Sequence, residues 1–284
     1  MNVPTAESEY IALNGQIMLS EEARVPVDDR GLLYGESVFT TIRCQQGAPV
    51  RLERHCERLN ASLRSAVVEI AYQVEPAALL ENIQELSKRN CCPDSIARFA
   101  VTRGSGPGPL PPANARPMTL LTVRAYAPPT TLCLRGISLA RSSIRRDPAG
   151  ELGKHKLGSY FPCLLARREA LARNFDEAVI SDTNGNLLEC ACSNLFAVVD
   201  GQLLTPGLEQ NLLPGITRER VLECAAELGI AVVLDTLTPV LVERATEMFI
   251  SNCALGLAPV ARLEDKVFQP IPGPLTARLL HAFL

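Results

Sequence analysis

The sequence predicts a two-domain protein of mixed α/β (α+β) class. Its 284 residues suffice for two hydrophobic cores, and strand-like and helix-like segments alternate along the chain. A break lies at Ala127-Pro128-Pro129, a composition typical of a linker. We therefore expect a small N-terminal α+β domain over residues 1–126, a linker over residues 127–133 and a larger C-terminal α/β domain over residues 134–284.

Two kinds of signal define the N-terminal domain. Asn14-Gly15 is a two-residue hairpin turn, which predicts paired strands within Tyr10–Leu19. Apolar residues recur at helical spacing from Leu52 to Val67 and predict an amphipathic helix. The remaining predicted elements are a strand over Val38–Arg43, a helix over Pro76–Lys88, and strands over Ile96–Thr102 and Met118–Tyr126, which flank a proline-rich loop.

The C-terminal domain is organised around Gly185–Pro206, GNLLECACSNLFAVVDGQLLTP. Asn184-Gly185 and Asp200-Gly201 are hairpin signals on either side of the apolar strand Leu195–Val199. Further strands are predicted over Ile137–Ala140, Ala178–Ser181, Ala231–Leu234 and Met248–Ile250, and helices over Ser159–Asn174, Leu213–Glu227 and Pro274–Phe283. The expected apolar face of the first of these helices comprises Phe161, Leu164, Leu165 and Leu171.

The composition argues against several classes of protein. The formal net charge is −3 and no long basic stripe occurs, which argues against nucleic-acid binding. No apolar run approaches the roughly 18 residues of a membrane span, and MNVPTAESEY lacks the pattern of a signal peptide. The ten cysteines include no CxxC and the three histidines are scattered. We expect reduced thiols in a cytoplasmic protein, with no metal site.

Two features of the C-terminal domain suggest a bound group. Glu189 enters an apolar sheet and needs a partner that offsets its desolvation. Gly215-Ile216-Thr217 opens a helix and offers backbone N–H groups, a hydroxyl and the positive end of a helix dipole, which together suit a phosphate. Each feature taken alone is also explained by a strand-edge glutamate facing water and by a simple helix cap.

Three segments occur in the order typical of one enzyme family: LLECACSNLFAVVDGQLLTP, LPGITRERV and MFISNCALGLAPV. With them, the chain from the hairpin near Leu13 to Val260 resembles the class IV (fold-type IV) enzymes that depend on pyridoxal 5′-phosphate (PLP). That family includes branched-chain and D-amino-acid aminotransferases and aminodeoxychorismate lyase. The resemblance implies a D-amino-acid aminotransferase-like fold, PLP as cofactor, a small-molecule substrate and a homodimer.

The resemblance also implies roles for individual residues. Glu189 would keep the pyridine nitrogen protonated, and Arg58 in HCERL matches the phosphate arginine of the family. His55, three residues earlier, receives only a structural role. The complete implied cofactor set is Arg58, Lys156, Glu189, Ser193, Asn194, Gly215, Ile216, Thr217, Asn252 and Cys253.

A PLP enzyme needs a lysine that forms a Schiff base with the cofactor and then carries a proton. Lys154 and Lys156 compete for this role. The family pattern places the lysine at a fixed distance before the helix that contains LARREA, and this distance selects Lys156 over Lys154.

Substrate selection is expected from Tyr34, Phe39, Arg43 and Arg103, and Thr41 is the second candidate catalytic residue. The segments YGESVFTTIR, RFAVTRGSG and SNCALGLAPV are similar to the lyase. One departure concerns the loop GSGPGPL, which lacks the arginine that the lyase commonly has there. Carboxylate recognition would then fall to Arg103, Arg43 or a residue from another subunit.

The expected activity is a PLP-dependent lyase that converts 4-amino-4-deoxychorismate to 4-aminobenzoate and pyruvate, a step of folate biosynthesis. Thr41 would assist by hydrogen bonding to the leaving group. The alternative is a PLP-dependent aminotransferase acting on D-amino or branched-chain amino acids with the same lysine and glutamate. A third possibility is a protein without turnover, either PLP-binding or purely structural, or one whose cysteines form a metal site.

Overall fold

The computed structural model describes residues 9–108, 110, 112 and 115–283 and divides into two compact units. Unit 1 contains the chain up to Ala127 together with His155–Ser159, whereas unit 2 contains Pro128–Lys154 and Tyr160–Leu284. The segment that carries Lys156 thus belongs to unit 1, although it lies far along the chain. The boundaries expected for independently folding domains, at residues 126 and 134, stay a prediction.

Unit 1 is a six-stranded sheet with two helices on one face. The sheet order is β2-β1-β6-β5-β3-β4, and all of its pairings are antiparallel. The elements are β1 (Tyr10–Leu13), β2 (Gln16–Leu19), α1 (Arg30–Tyr34), β3 (Ser37–Gln45), β4 (Ala48–Pro49), α2 (Leu52–Arg64), α3 (Pro76–Arg89), β5 (Ser95–Thr102) and β6 (Met118–Ala125).

The core of unit 1 lies between the sheet and the helices α2 and α3. Leu59 and Leu63 of α2 and Ile83 of α3 are buried there together with alternate residues of β3, such as Val38 and Ile42. The alternation places Phe39, Thr41 and Arg43 on the opposite face of β3. This opposite face thus carries three of the residues that the sequence singled out.

Unit 2 contains the remaining helices and strands. Its elements are α4 (Thr130–Arg135), β7 (Ile137–Arg146), α5 (Phe161–Ala172), β8 (Glu177–Asp182), β9 (Leu187–Cys190), β10 (Asn194–Val199), β11 (Gln202–Thr205), α6 (Ile216–Glu227), β12 (Val232–Leu234), α7 (Pro239–Arg244), β13 (Glu247–Asn252), β14 (Gly256–Leu263), β15 (Lys266–Val267) and α8 (Pro274–Phe283). Two short 3₁₀ helices span Leu152–Lys154 and Leu208–Gln210.

The strands of unit 2 form a nine-stranded sheet in the order β12-β11-β10-β13-β14-β7-β8-β9, with β15 paired to β14. β9 also pairs with β10, so that six of the strands close into a ring. That closing contact joins Glu189 of β9 to Asn194 of β10. The predicted strand over Leu195–Val199 is confirmed as β10, which is buried on both faces and therefore apolar along its whole length.

The hairpin turns follow the chemistry of their residues. Asn14 and Gly15 have φ angles of 51° and 78°, and Asp200 and Gly201 have φ angles of 51° and 78°. Positive φ at both central positions is the type I′ geometry that joins antiparallel strands with their natural twist. The predicted turns at Asn14-Gly15 and Asp200-Gly201 are thereby confirmed.

The expected apolar face of α5 is wrong. Phe161 is 65% exposed, Leu164 is 49% exposed and Leu171 is 54% exposed. The inward stripe of α5 is formed by Ala166 and Ala170, which are buried against β7 and β8. The small alanine side chains allow a close approach of the helix to the sheet. The alanine and leucine stripes both repeat with the helical period, so the sequence pattern alone is compatible with either one as the buried face.

Two helix limits also differ from expectation. α2 ends at Arg64, so Val67 lies beyond the helix and is 43% exposed, while the neighbouring Val68 is buried. Residues 30–34 form the short helix α1, which is not among the elements predicted above; Asp29 caps its first turn and Gly35 ends it in the left-handed conformation.

The described residues of the chain also bear on the classes considered above. The nine cysteines whose side chains are described are free. Among the described residues, no group of three or more His, Cys, Asp or Glu side chains is arranged to hold a metal ion. None of the helices in the described ranges is both long and apolar enough to cross a membrane.

Candidate active site

The backbone around Lys156 is attached to strand β3. The amide of Phe39 donates a hydrogen bond of 2.9 Å to the carbonyl oxygen of Lys156, and the amide of Gly158 donates one of 2.7 Å to the carbonyl of Ser37. Residues 155–159 thus extend along β3 as an additional short segment. This attachment gives the lysine a fixed origin on the sheet of unit 1.

The ring of Phe39 brings two cationic side chains together. The Nζ atom of Lys156 lies 4.7 Å from the ring centroid, and the Cζ atom of Arg98 lies 3.6 Å from it. Arg98 is directly opposite Thr41 in the pairing of β5 with β3, so that Phe39, Thr41 and Arg98 share one face of the sheet. A primary amine, a guanidinium, a hydroxyl and an aromatic ring are therefore grouped on this face.

Arg103 has other partners. Its guanidinium forms an ion pair with Glu36 and donates to the backbone carbonyls of Val68 and Glu69. Glu36 also pairs with the buried Arg30, so one carboxylate joins two arginines. Arg103 is the residue that the sequence suggested for substrate recognition, and in this structure it fastens the start of the loop after β5.

Tyr34 and Arg43, the other two candidates for substrate selection with Phe39, lie apart from each other in unit 1. Tyr34 is half exposed on α1, with the guanidinium of Arg30 4.8 Å from its ring centroid. Arg43 lies on the same face of β3 as Phe39, four residues further along the strand and opposite Ile96 of β5. Of the two, only Arg43 shares the face that carries Arg98.

Arg58 belongs to a buried polar cluster between α2 and β3. Its Nη2 atom donates to Oγ1 of Thr40 at 3.3 Å, and the same oxygen lies 2.7 Å from Nδ1 of His55. His55 is 2% exposed. Its burial, and then the nearby positive charges of Arg58, Lys156 and Arg51, lower the pKa of His55 to about 3, so its imidazole is neutral at physiological pH.

Lys154 differs from Lys156 in both position and partner. Lys154 lies in the 3₁₀ turn of unit 2, and its Nζ atom forms an ion pair of 2.8 Å with Glu151 one turn earlier. Such a surface pair contributes little to stability and shows no special chemistry. The ring contact with Phe39 is found at Lys156.

In unit 2, Glu189 is a buried carboxylate with several donors. Oε1 accepts from Nη1 of Arg146 at 2.5 Å, and Oε2 accepts from Nδ2 of Asn194 and from the amide of Leu213, each at 3.3 Å. Glu189 is only 7% exposed. The guanidinium of Arg146 offsets the cost of burying this charge and favours the ionised carboxylate.

The start of α6 lies beside this carboxylate cluster. Gly215 is the N-cap residue, and no side chain caps the helix. A Cβ atom at Gly215 would collide with Oδ1 of Asn194, the side chain that contacts Glu189. The residues Gly215, Ile216 and Thr217 therefore present the uncapped, positive end of a helix of twelve residues close to Asn194, which contacts Glu189.

A second turn of unit 2 holds Asn252 and Cys253. Nδ2 of Asn252 donates to Oγ of Ser193 at 2.8 Å, and its Oδ1 accepts from the amides of Ala254 and Leu255 at 2.9 and 2.7 Å. Asn252 thereby fixes the turn in which Cys253 lies half-buried. Ser193 is adjacent to Asn194, so this turn is joined to the strand that carries the carboxylate cluster.

Sequence reasoning missed two arginines. Arg98 stands alone in the strand segment ARFAV, and Arg146 stands in the polar run RSSIRRDPAG. Neither position has a local pattern that distinguishes it from a surface arginine. Only strand pairing reveals them, because it places Arg98 opposite Thr41 and brings Arg146 to Glu189.

The donor set suits PLP in each unit. In unit 1, Lys156 supplies the primary amine that an aldehyde cofactor requires, and this amine lies next to an aromatic ring. In unit 2, an ionised carboxylate suits a protonated ring nitrogen, and the uncapped helix start with its glycine suits a phosphate. The residues present therefore fit the group chemically.

The chain is similar to known proteins in both sequence and fold. The branched-chain-amino-acid aminotransferase of Escherichia coli is 31% identical over 98% of this chain and 93% of its own, and its crystal structure has a TM-score of 0.89, covering 98% of this chain and 94% of that chain. A protein of Methanocaldococcus jannaschii, provisionally assigned as a branched-chain-amino-acid aminotransferase, is 34% identical over 96% of this chain and 94% of its own. The structure of a Legionella pneumophila protein, provisionally assigned as 4-amino-4-deoxychorismate lyase, is 25% identical with a TM-score of 0.85, covering 92% of this chain and 95% of that chain.

The family is shown by a match to a family model. The family model described as amino-transferase class IV matches residues 37–263, which span β3 to β14 and include every site residue that the sequence predicted except Tyr34. The fold is that of the same family. The chain therefore belongs to the class IV aminotransferase family of PLP-dependent enzymes.

Proposed function

We propose that the protein is an aminotransferase acting on branched-chain amino acids. The observation that carries this proposal is the similarity to the E. coli branched-chain-amino-acid aminotransferase, at 31% identity over 98% of this chain. It favours the alternative activity considered from the sequence over the lyase. The grouping of Lys156, Arg98 and Phe39 on one face of unit 1 supports the same conclusion.

Lys156 is the proposed catalytic residue of unit 1. PLP, when bound, supplies an aromatic system that accepts the electron pair left when a proton leaves the substrate α-carbon. The Nζ atom of Lys156 holds the cofactor before substrate arrives and moves that proton afterwards. The contact with the Phe39 ring, 4.7 Å from the Nζ atom, helps to hold this amine in place on the sheet.

Arg98 is the proposed anchor for a substrate carboxylate. Its guanidinium offers two parallel N–H groups, the geometry that matches a carboxylate. The guanidinium and the Lys156 amine both lie against the Phe39 ring, 3.6 and 4.7 Å from its centroid, and this shared contact suggests Arg98 for the role. Phe39 also provides an apolar wall for an aliphatic side chain.

The unit 2 residues are proposed to bind the other parts of the cofactor. Glu189, kept ionised by Arg146, holds a proton on the ring nitrogen. Gly215, Ile216 and Thr217 at the start of α6 are the proposed phosphate ligands of unit 2. Arg58 on α2 is the phosphate arginine that the family resemblance implies for unit 1. Ser193, Asn194, Asn252 and Cys253 hold the strand and turn around these groups.

An amino donor supplied without any acceptor tests the proposal. The purified holoenzyme is mixed with L-leucine, L-isoleucine, L-valine or D-alanine, and the cofactor absorbance and the 2-oxo acid formed are measured. We expect conversion of the cofactor to its amine form and one 2-oxo acid per cofactor with the branched-chain L-amino acids. Absence of conversion with all three branched-chain substrates contradicts the proposal, and conversion by D-alanine alone assigns a D-amino-acid aminotransferase.

The lyase remains the second candidate because of Thr41. This threonine lies two residues after Phe39 on the same face of β3 and opposite Arg98, where its hydroxyl can assist a leaving group. The similarity to the provisionally assigned lyase of L. pneumophila supports this reading. Formation of 4-aminobenzoate and pyruvate from 4-amino-4-deoxychorismate, without conversion of the cofactor by amino donors, would establish the lyase and a place in folate biosynthesis.

The proposal includes assembly and location. The homodimer and the cytoplasmic location both rest on the sequence analysis above. Sedimentation velocity of the purified protein tests the first, since a dimer of 30.8 kDa chains is readily separated from a monomer. Fractionation of cells that produce the protein tests the second.

A further inference from the structure

Thr40, His55 and Arg58 form a continuous chain of polar contacts within unit 1. Thr40 lies on β3 with its side chain on the helix-facing side of the sheet, and His55 and Arg58 are one turn apart on α2. Thr40 is 1% exposed and His55 is 2% exposed. Buried polar groups of this kind are retained where their hydrogen bonds fix a geometry, because leaving any of them unpaired is costly.

The direction of the chain follows from what each group can donate. A guanidinium only donates, so the contact of 3.3 Å uses Oγ1 of Thr40 as the acceptor for Nη2 of Arg58. The buried hydroxyl then needs an acceptor for its own proton, and Nδ1 of His55 at 2.7 Å supplies one. Nδ1 accepts only when the imidazole is neutral with its proton on Nε2.

The surroundings keep His55 in that neutral form. Burial first, and then the positive charges of Arg58, Lys156 and Arg51, lower the pKa of His55 to about 3. The imidazole therefore stays neutral throughout the pH range in which the enzyme works, as an accepting Nδ1 requires. A neutral acceptor also adds no positive charge that would repel the guanidinium it helps to orient.

We propose that Thr40 and His55 are positioning residues, which orient the guanidinium of Arg58 for the phosphate of the cofactor through the contacts Arg58 Nη2 to Thr40 Oγ1 and Thr40 Oγ1 to His55 Nδ1. The proposal rests on the proposed function in taking Arg58 as a phosphate ligand. Arginine side chains lose considerable rotamer entropy when they bind, and a guanidinium held beforehand loses less on meeting an anion. This chain of contacts from Arg58 through Thr40 to His55, called the relay below, thus strengthens binding of the phosphate. It does not change the binding of the rest of the cofactor.

Two probes that differ only in the phosphate isolate this effect. Pyridoxamine 5′-phosphate and pyridoxamine both lack the aldehyde, so neither forms a covalent bond with lysine. The ratio of their dissociation constants, measured on the full-length chain freed of cofactor, reports phosphate recognition alone. We measure it for the wild type, for Thr40→Val, which keeps the shape and removes the hydroxyl, and for the matched control Thr40→Ser, which keeps the hydroxyl.

The expected outcome is selective. Thr40→Val lowers the phosphate preference by roughly five- to tenfold, the effect of one ordinary hydrogen bond, and leaves the affinity for pyridoxamine unchanged. Thr40→Ser retains most of the preference. In an Arg58→Ala background, Thr40→Val has no further effect, because the relay acts through the arginine. Equal weakening of both probes, or additive effects of the two substitutions, would overturn the relay and leave a purely structural threonine.

A second measurement needs no substitution at Thr40. The chain has three histidines, so ¹⁵N-imidazole NMR resolves each of them, and the signal of His55 is identified by its loss in His55→Gln. We expect an unprotonated Nδ1 and a protonated Nε2 from pH 5 to pH 9. A proton on Nδ1 would reverse the chain of donors and overturn the proposal. A wild-type protein that prefers the phosphorylated probe but does not transaminate contradicts the proposed activity and leaves the relay standing.

Discussion

The amide of Phe39 donates a hydrogen bond of 2.9 Å to the carbonyl oxygen of Lys156. The lysine is therefore attached by its backbone to the same residue whose ring lies 4.7 Å from its Nζ atom. β3 in turn pairs with β5 over eight residues, so the support is a rigid part of the sheet. Because the backbone of residue 156 makes this contact, a change of its side chain should leave the attachment intact.

Replacement of Lys156 by alanine tests the assignment of the catalytic lysine. We expect loss of covalently bound cofactor after borohydride reduction, detected by mass spectrometry. Transamination should fall by roughly 10²–10⁴-fold or more, because the group that moves the proton is removed. The melting temperature of the cofactor-free variant should match that of the cofactor-free wild type, since the hydrogen bond to Phe39 uses only backbone atoms.

Lys154→Ala is the matched control. Lys154 pairs at the surface with Glu151, and its loss should leave covalent cofactor and turnover near the wild-type level. Retention of covalent cofactor by Lys156→Ala together with its loss in Lys154→Ala would reverse the assignment.

Most elements of the fold were predictable because their signals are local. The turns at Asn14-Gly15 and Asp200-Gly201 need positive φ, which their residues tolerate, and the all-apolar strand β10 is buried on both faces. The inward face of α5 was not predictable in the same way. Its alanine and leucine stripes both repeat at helical spacing, and only the closeness of β7 and β8 selects the alanines.

The candidate site likewise contains residues that were predictable from local signals and residues that were not. Lys156, Glu189 and the start of α6 were proposed from motifs that resemble the family, and these motifs are continuous segments of sequence. Arg98 and Arg146 depend on which strands become neighbours, and that information is not present in any one segment. A sequence therefore identifies groups held by a local motif more readily than isolated charges that a distant strand supplies.

Arg98 is predicted to bind the substrate carboxylate. Arg98→Gln should raise KM for amino-acid substrates and lower kcat/KM by roughly 10- to 100-fold, the effect of losing a hydrogen-bonded charge partner. Covalent loading of cofactor should persist, because Lys156 is unchanged. The steady-state kinetics of Arg98→Gln are compared with those of the control Arg124→Gln. Arg124 is a surface arginine that pairs with Glu9. If Arg43→Gln or Arg103→Gln produces this KM effect and Arg98→Gln does not, the anchor is misassigned.

Arg146 is predicted to support Glu189. Arg146→Met removes the cation 2.5 Å from Oε1, so the buried carboxylate loses the charge that stabilises its ionised form. We expect slower proton removal from the substrate, seen as a reduced rate of cofactor conversion in single-turnover stopped flow. The neighbouring Arg145→Met is the control, since Arg145 donates to the backbone carbonyl of Ser142. Equal rates for both variants would show that Arg146 has no such role.

His55 is predicted to make stability depend on pH. Its pKa is about 3 in the folded protein, against an ordinary value near 6.5, because of burial and then the charges of Arg58, Lys156 and Arg51. Between these two values the unfolded chain binds more protons than the folded one, so the free energy of unfolding rises with pH across this window and falls as the pH drops below 6.5. The contribution of His55 to the free energy of unfolding therefore falls by about 2 kcal/mol from pH 7 to pH 5, at 1.36 kcal/mol per pH unit below 6.5. Urea unfolding at both pH values measures the acid loss, which is the decrease in the free energy of unfolding from pH 7 to pH 5. This acid loss should be smaller in His55→Gln than in the wild type by about this amount. The control His281→Gln, on α8, should show the same acid loss as the wild type. An unchanged acid loss in His55→Gln would mean that His55 takes up no proton on unfolding.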